Sequence, residues 1–267
     1  MASTINTNVA SLTAQRNLSV SGNGMQTAIA RLSSGLRINS AADDAAGLGI
    51  SDRMNAQVKG LNVAARNAAD AISAVQTYDS ALGGVTDMLQ RMREIAVQAN
   101  NATNSTDDLA NLQAEYSQLG TEIDRVITAT KFNGNADLDG GATLTYQVGA
   151  NTGDTIDVTV ADMSGLTAQA EDVSSDAEAA MDAIDADLIT IATERANYGA
   201  VQNVFTNVIS TVQAAATNQA AARGRIVDAD FAQETAALTR AQILQQAGTA
   251  MVAQANQLPN SVLSLLK

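Results

Sequence analysis

RLSSGLRINSAADDAAGLGISD (Arg31–Asp52) joins two segments with helical apolar spacing, and its turn residues Gly35, Asn39 and Ser40 fall where those segments meet. The first 42 residues contain no acidic side chain, so Asp43-Asp44 is where carboxylates first appear. Reading Ser40 as an N-cap puts Asp43 at the third helical position, beside unpaired N–H groups and the positive end of the helix dipole. Locally, the stretch is a capped corner between two helices.

On its N-terminal side, Ile5, Val9, Leu12, Leu18, Met25, Ile29, Leu32 and Leu36 recur at spacings of three, four and seven. Gly22 and Gly24 interrupt this stripe, each at a cost of about 1 kcal/mol relative to Ala. On its C-terminal side lies the longest periodic run: Met54, Val58, Leu61, Ala65, Ala68, Ile72, Val75, Leu82, Val85, Leu89 and Met92, with one switch near Asp79. A helix from 43 to 100 would be about 87 Å long, which predicts a coiled-coil-like rod. Asn100–Ser105 is a turn, with Ser105 or Thr106 as the cap of a helix carrying Leu109, Leu112, Tyr116, Leu119, Ile123 and Val126. That helix can fold back antiparallel on the long one.

Between 130 and 165 the period changes. Turn clusters at 132–135, 139–141 and 151–154 flank TLTYQV (143–148) and TIDVTV (155–160), which alternate and predict a hairpin. Asp137, Asp139, Asp154 and Asp157 lack the spacing of a calcium loop and read as solvated turns. From Ser175 the helical pattern returns through Met181, Ile184, Leu188, Ile191, Tyr198, Phe205 and Val212 to a joint at Arg223-Gly224-Arg225. The last arm carries Phe231, Leu238, Leu244, Met251, Leu258 and Leu265, and Pro259 is expected to kink or end it.

The order is nearly mirror-symmetric. It predicts a mainly α chain: an elongated antiparallel helical bundle or coiled coil of N- and C-terminal helices, with a small β-hairpin region in the middle. The divisions fall at 1–42 (arm), 43–130 (core helices), 131–173 (hairpin region), 174–222 (core helix) and 223–267 (arm).

Composition narrows the function. Among 267 residues there are no Cys, His or Trp, aromatics are 3%, and there is one Pro. The commonest general base and the commonest metal ligands are therefore missing, and no cofactor, metal or catalytic site is expected. Acid pairs such as Asp185/Asp187 read as a solvated helix face. Residues 132–194 hold 13 acidic side chains and no Lys or Arg, which equals the whole net charge of −13. Such a surface repels nucleic acid. No apolar run is long enough to span a bilayer, and the first residues lack a secretory leader. Residues 241–267 carry only Lys267 as a charged side chain, as expected of a surface meant to be covered. Arms of this kind are marginal alone and should order when packed against copies of themselves.

The wording of the chain carries a resemblance. RLSSGLRINSAADDAAGLGIS (31–51) and INTNVASLTAQRNL (5–18) resemble the N-terminal signature of bacterial flagellins. DADFAQETAALTRAQILQQAGTAMVAQANQLPNSVLSLLK (228–267) is similar to the flagellin C-terminus, and RANYGAVQN (195–203) to a family motif in which Leu is usual at Tyr198. The resemblance implies a subunit that polymerises helically into the extracellular flagellar filament for motility, with an inner terminal layer and a helical core layer. It also implies type III export in an unfolded state, an export chaperone at the C-terminal arm, and hook-associated and cap proteins as partners. The central region is short, which makes this a minimal form. Assembly residues expected on this basis are Leu12, Leu32, Leu36, Gly47, Gly49, Leu244, Met251, Leu258 and Leu265. QRMREIAVQ (90–98) is similar to the run read by the vertebrate Toll-like receptor for flagellin. The matching positions are Arg91, Ile95 (Leu in the family) and Glu115. A hook–filament junction protein is the second reading, separated from the first by low copy number at the filament base.

Overall fold

The computed structural model describes residues 7–135 and 138–264, with side chains as far as 257. In chain order the elements are α1 (Val9–Ser34), α2 (Ala45–Ala99), α3 (Thr106–Ala129), β1 (Ala142–Gln147), β2 (Thr155–Val160), α4 (Ala177–Val227) and α5 (Phe231–Ser264). The fold is mainly α with one small antiparallel sheet, as the periodicities predict. Two compact units form: Met1–Ala56 with Asn218–Lys267, and Gln57–Thr217.

In the unit Gln57–Thr217, one buried row on α2 sets the core. Ala64, Ala68, Ala71, Val75, Tyr78, Leu82, Val85, Leu89, Met92, Ala96 and Ala99 are buried, alternating steps of four and three without a break. Tyr78 fills the place where the apolar count switches rows near Asp79. An aromatic with a polar tip does not register as apolar, yet its ring packs like one. From α4 the facing row is Ile184, Ile191, Tyr198, Phe205 and Val212, at strict seven-residue spacing. Tyr78 and Tyr198 meet at 6.3 Å between ring centroids. Arg93 Nε donates to Asp185 Oδ1 at 2.7 Å, and Arg195 Nε to Asp79 Oδ1 at 2.8 Å, so α2 and α4 run antiparallel. From α3, Tyr116, Ile123 and Ile127 enter the same core. Ser105 caps α3 in a capping box with Asp108, whose carboxyl is held below its ordinary range by the Ser105 hydroxyl and N–H.

The hairpin pairs β1 with β2 from Ala142↔Val160 to Gln147↔Thr155. Tyr146 packs edge-on against Phe205 at 5.7 Å, and Asn67 Nδ2 donates to Gln147 O, which fastens the hairpin to α4 and α2. Asp154 accepts from the Asn151 N–H within the hairpin turn, and Asp157 from Thr145 across the strands. Asp137 lies outside the described residues.

Asp187 is not on a solvated face. It is 5% exposed and accepts from the N–H groups of Thr167 and Ala168, at the start of the 3-10 turn Ala168–Ala170. Tyr116 donates to Ala168 O at 2.6 Å from the other side. Asp187→Ala strands two N–H groups and is expected to cost about 3 kcal/mol, while Asp187→Asn, which keeps an acceptor, costs about 1 kcal/mol. Urea unfolding followed by circular dichroism measures both.

Burial pushes the phenols of Tyr116 and Tyr198 from 10.0 up to about 12. The folded state therefore holds protons that the unfolded state releases between those values, so stability is complete below pH 10 and falls as pH rises towards 12. Phenolate absorbance from these two rings is expected to appear together with loss of helical signal, and an earlier rise without unfolding would contradict their burial.

Candidate assembly surface

In the unit Met1–Ala56 with Asn218–Lys267, the corner at Arg31–Asp52 is built differently from the capped turn expected. α1 stops at Gly35, whose φ of 72° is the left-handed value that favours glycine; its N–H donates to Arg31 O. Ser40 does not open α2. Asp43 instead folds back to accept from the N–H groups of Asn39 and Ser40 and from the Ser40 hydroxyl. These bonds, the Ser40 N–H foremost, hold its carboxyl below the ordinary range. Asp44 then takes the capping role, accepting from Gly47 N–H at 2.8 Å three residues on. The adjacent carboxylates share the work of one box.

The second joint also shifts. α4 continues through Arg223-Gly224-Arg225 to Val227, because Asp228 N–H still finds Gly224 O at 2.8 Å and closes the last turn. The two corners pair with each other. Arg37 N–H donates to Val227 O at 2.7 Å, Ala229 N–H to Gly35 O at 2.9 Å, and Leu36 bridges Asp228. Arg37 spends its guanidinium on Ile226 O rather than on a carboxylate. Arg31 meets Glu234 at 3.1 Å.

From this joint α1 and α5 run antiparallel. Ser11, Ala14, Leu18, Ser21, Met25, Ala28 and Leu32 are buried or half-buried on α1; Glu234, Leu238, Ala241, Gln245, Gly248, Val252 and Ala255 are so on α5. Both rows alternate steps of three and four, and the residues that reach full burial are Ser11, Ala28, Ala241 and Ala255. A Cβ on Gly248 would come within 3.0 Å of Leu18 Cδ1, so the backbones approach closely there.

Several large apolar side chains point elsewhere. Leu12 is 57% exposed, Leu244 51% and Met251 62%, and Val9, Val20, Ile29, Phe231 and Ile243 are exposed as well. Leu244 and Met251, expected as assembly residues, are therefore largely exposed on the single chain. Leu32 and Leu36 are half-buried, and Gly47 is buried. Gly49 has open space around it, so it is no close-packing point within the chain. The Leu258 side chain and Leu265 lie outside the described residues, while the helix itself runs past Pro259 to Ser264 instead of ending there. Counting large residues missed the inner row, although Ala241, Gly248 and Ala255 repeat every seven residues beside Leu244, Met251 and Leu258.

On the unit Gln57–Thr217, Arg91 donates to Glu115 at 2.8 Å and to Glu94 at 2.8 Å, all three being exposed. Ile95 is 1% exposed and belongs to the core beneath them, because its position on α2 faces inwards beside Met92 and Ala96.

The model of the bacterial flagellin N-terminal helical region matches residues 5–143, and that of the bacterial flagellin C-terminal helical region matches 181–266. The chain is 46% identical over 270 residues to a flagellin of Halalkalibacterium halodurans, covering 98% of this chain and 99% of that one. It is 42% identical over 313 residues to a flagellin of Xenorhabdus nematophila, covering both completely. Among solved structures, the crystal structure of Bacillus cereus flagellin aligns with a TM-score of 0.52 at 36% identity, over 59% of this chain and 94% of that one.

Proposed function

The chain belongs to the bacterial flagellin family, and from this premise we propose that it is a filament subunit whose paired arms drive helical polymerisation outside the cell. One observation supports the reading above the others: the positions of the α1–α5 seam that reach full burial are the small residues Ser11, Ala28, Ala241 and Ala255, while Leu12, Ile29, Leu244 and Met251 stand exposed around it. Apolar burial contributes roughly 25 cal/mol per Å², so these side chains gain more from neighbouring copies than from the single chain. Arms 1–42 and 223–267 form the terminal layer, and the helices between them the core layer in coiled-coil contact. Leu32, Leu36 and Gly47 shape the joint, and Leu258 and Leu265 join the assembly residues by their seven-residue spacing from Met251 in the sequence.

The subunit leaves unfolded through the flagellar type III system, with a chaperone covering the C-terminal arm until export, and meets hook-associated and cap proteins outside. Arg91 and Glu115 are the exposed pair that a Toll-like receptor would read, with Ile95 supporting them from below. Electron microscopy of the purified protein under polymerising conditions tests the central claim. Long hollow helical filaments are expected; monomers alone would reject it.

A further inference from the structure

We propose that Asn8 recognises the backbone carbonyl left without its helical donor by Pro259, and so clasps the free end of the α1–α5 pair in one register; this rests on the filament-subunit reading.

In an α-helix the carbonyl of residue 255 takes the N–H of residue 259. Position 259 is the chain's one proline and has no N–H, yet α5 continues to Ser264. Ala255 is buried, and an unpaired buried carbonyl is costly. The donor comes from α1: Asn8 Nδ2 reaches Ala255 O at 2.8 Å. With its other atom the same side chain caps α1, Oδ1 accepting from Ser11 N–H at 3.1 Å. One amide thus satisfies one orphan from each helix. Ser11 adds a bond from its hydroxyl to Asn256 Oδ1 at 2.8 Å.

The two demands select the residue. Asp, Ser and Thr cap a helix as well as Asn does, but Asp has no donor, and the hydroxyls have one atom where two separated atoms are needed. A register mark is useful here because the seam itself repeats. Ala241, Gly248 and Ala255 offer seats seven residues apart, about 10.5 Å along the helix. In a polymer, arms of many copies lie side by side, and small side chains alone distinguish those seats poorly. At the joint Arg31–Glu234 fixes one end. A single proline marks one turn at the other.

The test is a double-mutant cycle on the full chain, reading the critical concentration for seeded polymerisation. Asn8→Ser keeps the cap and loses the reach, and is expected to raise the critical concentration about tenfold. Pro259→Ala gives Ala255 its own helical donor, and in that background Asn8→Ser should cost about twofold or less. Equal effects in both backgrounds would overturn the proposal. An independent measurement covers variants that assemble poorly: solid-state NMR of wild-type filaments should show a dipolar contact between the Asn8 side-chain nitrogen and the Ala255 carbonyl carbon, and its absence also overturns the idea. Wild-type protein that forms no filament fails the filament reading and takes this clasp with it, whereas filaments lacking the coupling fail the clasp alone.

Discussion

A chain ending at Val227 is expected to form no filaments while keeping the unit Gln57–Thr217 folded. The cut removes α5 entirely, and with it the partner of the α1 seam, the Glu234 carboxylate that meets Arg31, and the Asp228–Ala229 backbone that pairs with Gly35–Leu36. What remains of the arm is a 26-residue helix with Gly22 and Gly24 inside it. Nothing presses on either glycine, so each weakens the helix by about 1 kcal/mol with no packing return. A helix of that length and composition is marginal in water. The exposed row of Ile243, Leu244 and Met251 leaves with α5, so the copies lose both the arm and the surface that holds it. Among the described residues, the core around Tyr78, Tyr198 and Phe205 draws on none of α5. Thermal melting by circular dichroism should therefore retain the main transition, and sedimentation with electron microscopy should find monomers at every concentration that polymerises the full chain. Normal filaments from the truncated protein would show that the arms are not the polymerising element.

The second large effect is expected at the corner. Gly47→Leu should raise the critical concentration for assembly by at least tenfold, with the melting transition of Gln57–Thr217 unchanged. A Cβ at position 47 would collide with the Asp44 carboxylate and come within 2.8 Å of Ile38 Cδ1. The first contact displaces the cap that accepts Gly47 N–H, worth about 1 kcal/mol; the second overpacks a buried side chain, at about 1–3 kcal/mol. Gly49→Leu is the control. Among the described residues nothing lies within 4 Å of its Cβ position, so an assembly defect it produces with melting unchanged points to neighbouring copies. If Gly47→Leu assembles normally, or if it lowers the melting of both units equally, the corner does not act on assembly in the way described.

These outcomes separate what a pattern in one dimension can carry from what it cannot. The hairpin strands, the Ser105 cap and the order of the helices were legible because each depends on neighbours within a few residues. The row on α2 was legible from Val75 to Met92 except at Tyr78, where side-chain chemistry concealed a packing position; before Val75 the apolar count fell on Ala65 and Ile72, while Ala64 and Ala71 are the buried residues. Asp187 was misread because a carboxylate on a helix is usually solvated, and the two N–H groups that bury it come from a segment about 20 residues away. Ser40 was misread as a cap because Asp43 and Asp44 follow it three and four residues on, and either carboxylate could have closed the box.

By itself, the sequence determined that the chain is mainly helical, that a hairpin divides two helical halves, that the net charge lies in the middle, and that its two ends carry flagellin wording. All of these are local in sequence, being periods, turn residues and composition. Only the tertiary structure decided which of two rows on α5 faces α1. Both rows repeat every seven residues, so periodicity cannot rank them; close approach of the helices at Gly248 and Leu18 can, because it admits Ala241 and Ala255 and turns Leu244 and Met251 outwards. The tertiary structure likewise joined Arg31–Asp52 to Ile226–Ala229, since backbone N–H and C=O groups pair without regard to the side chains they carry.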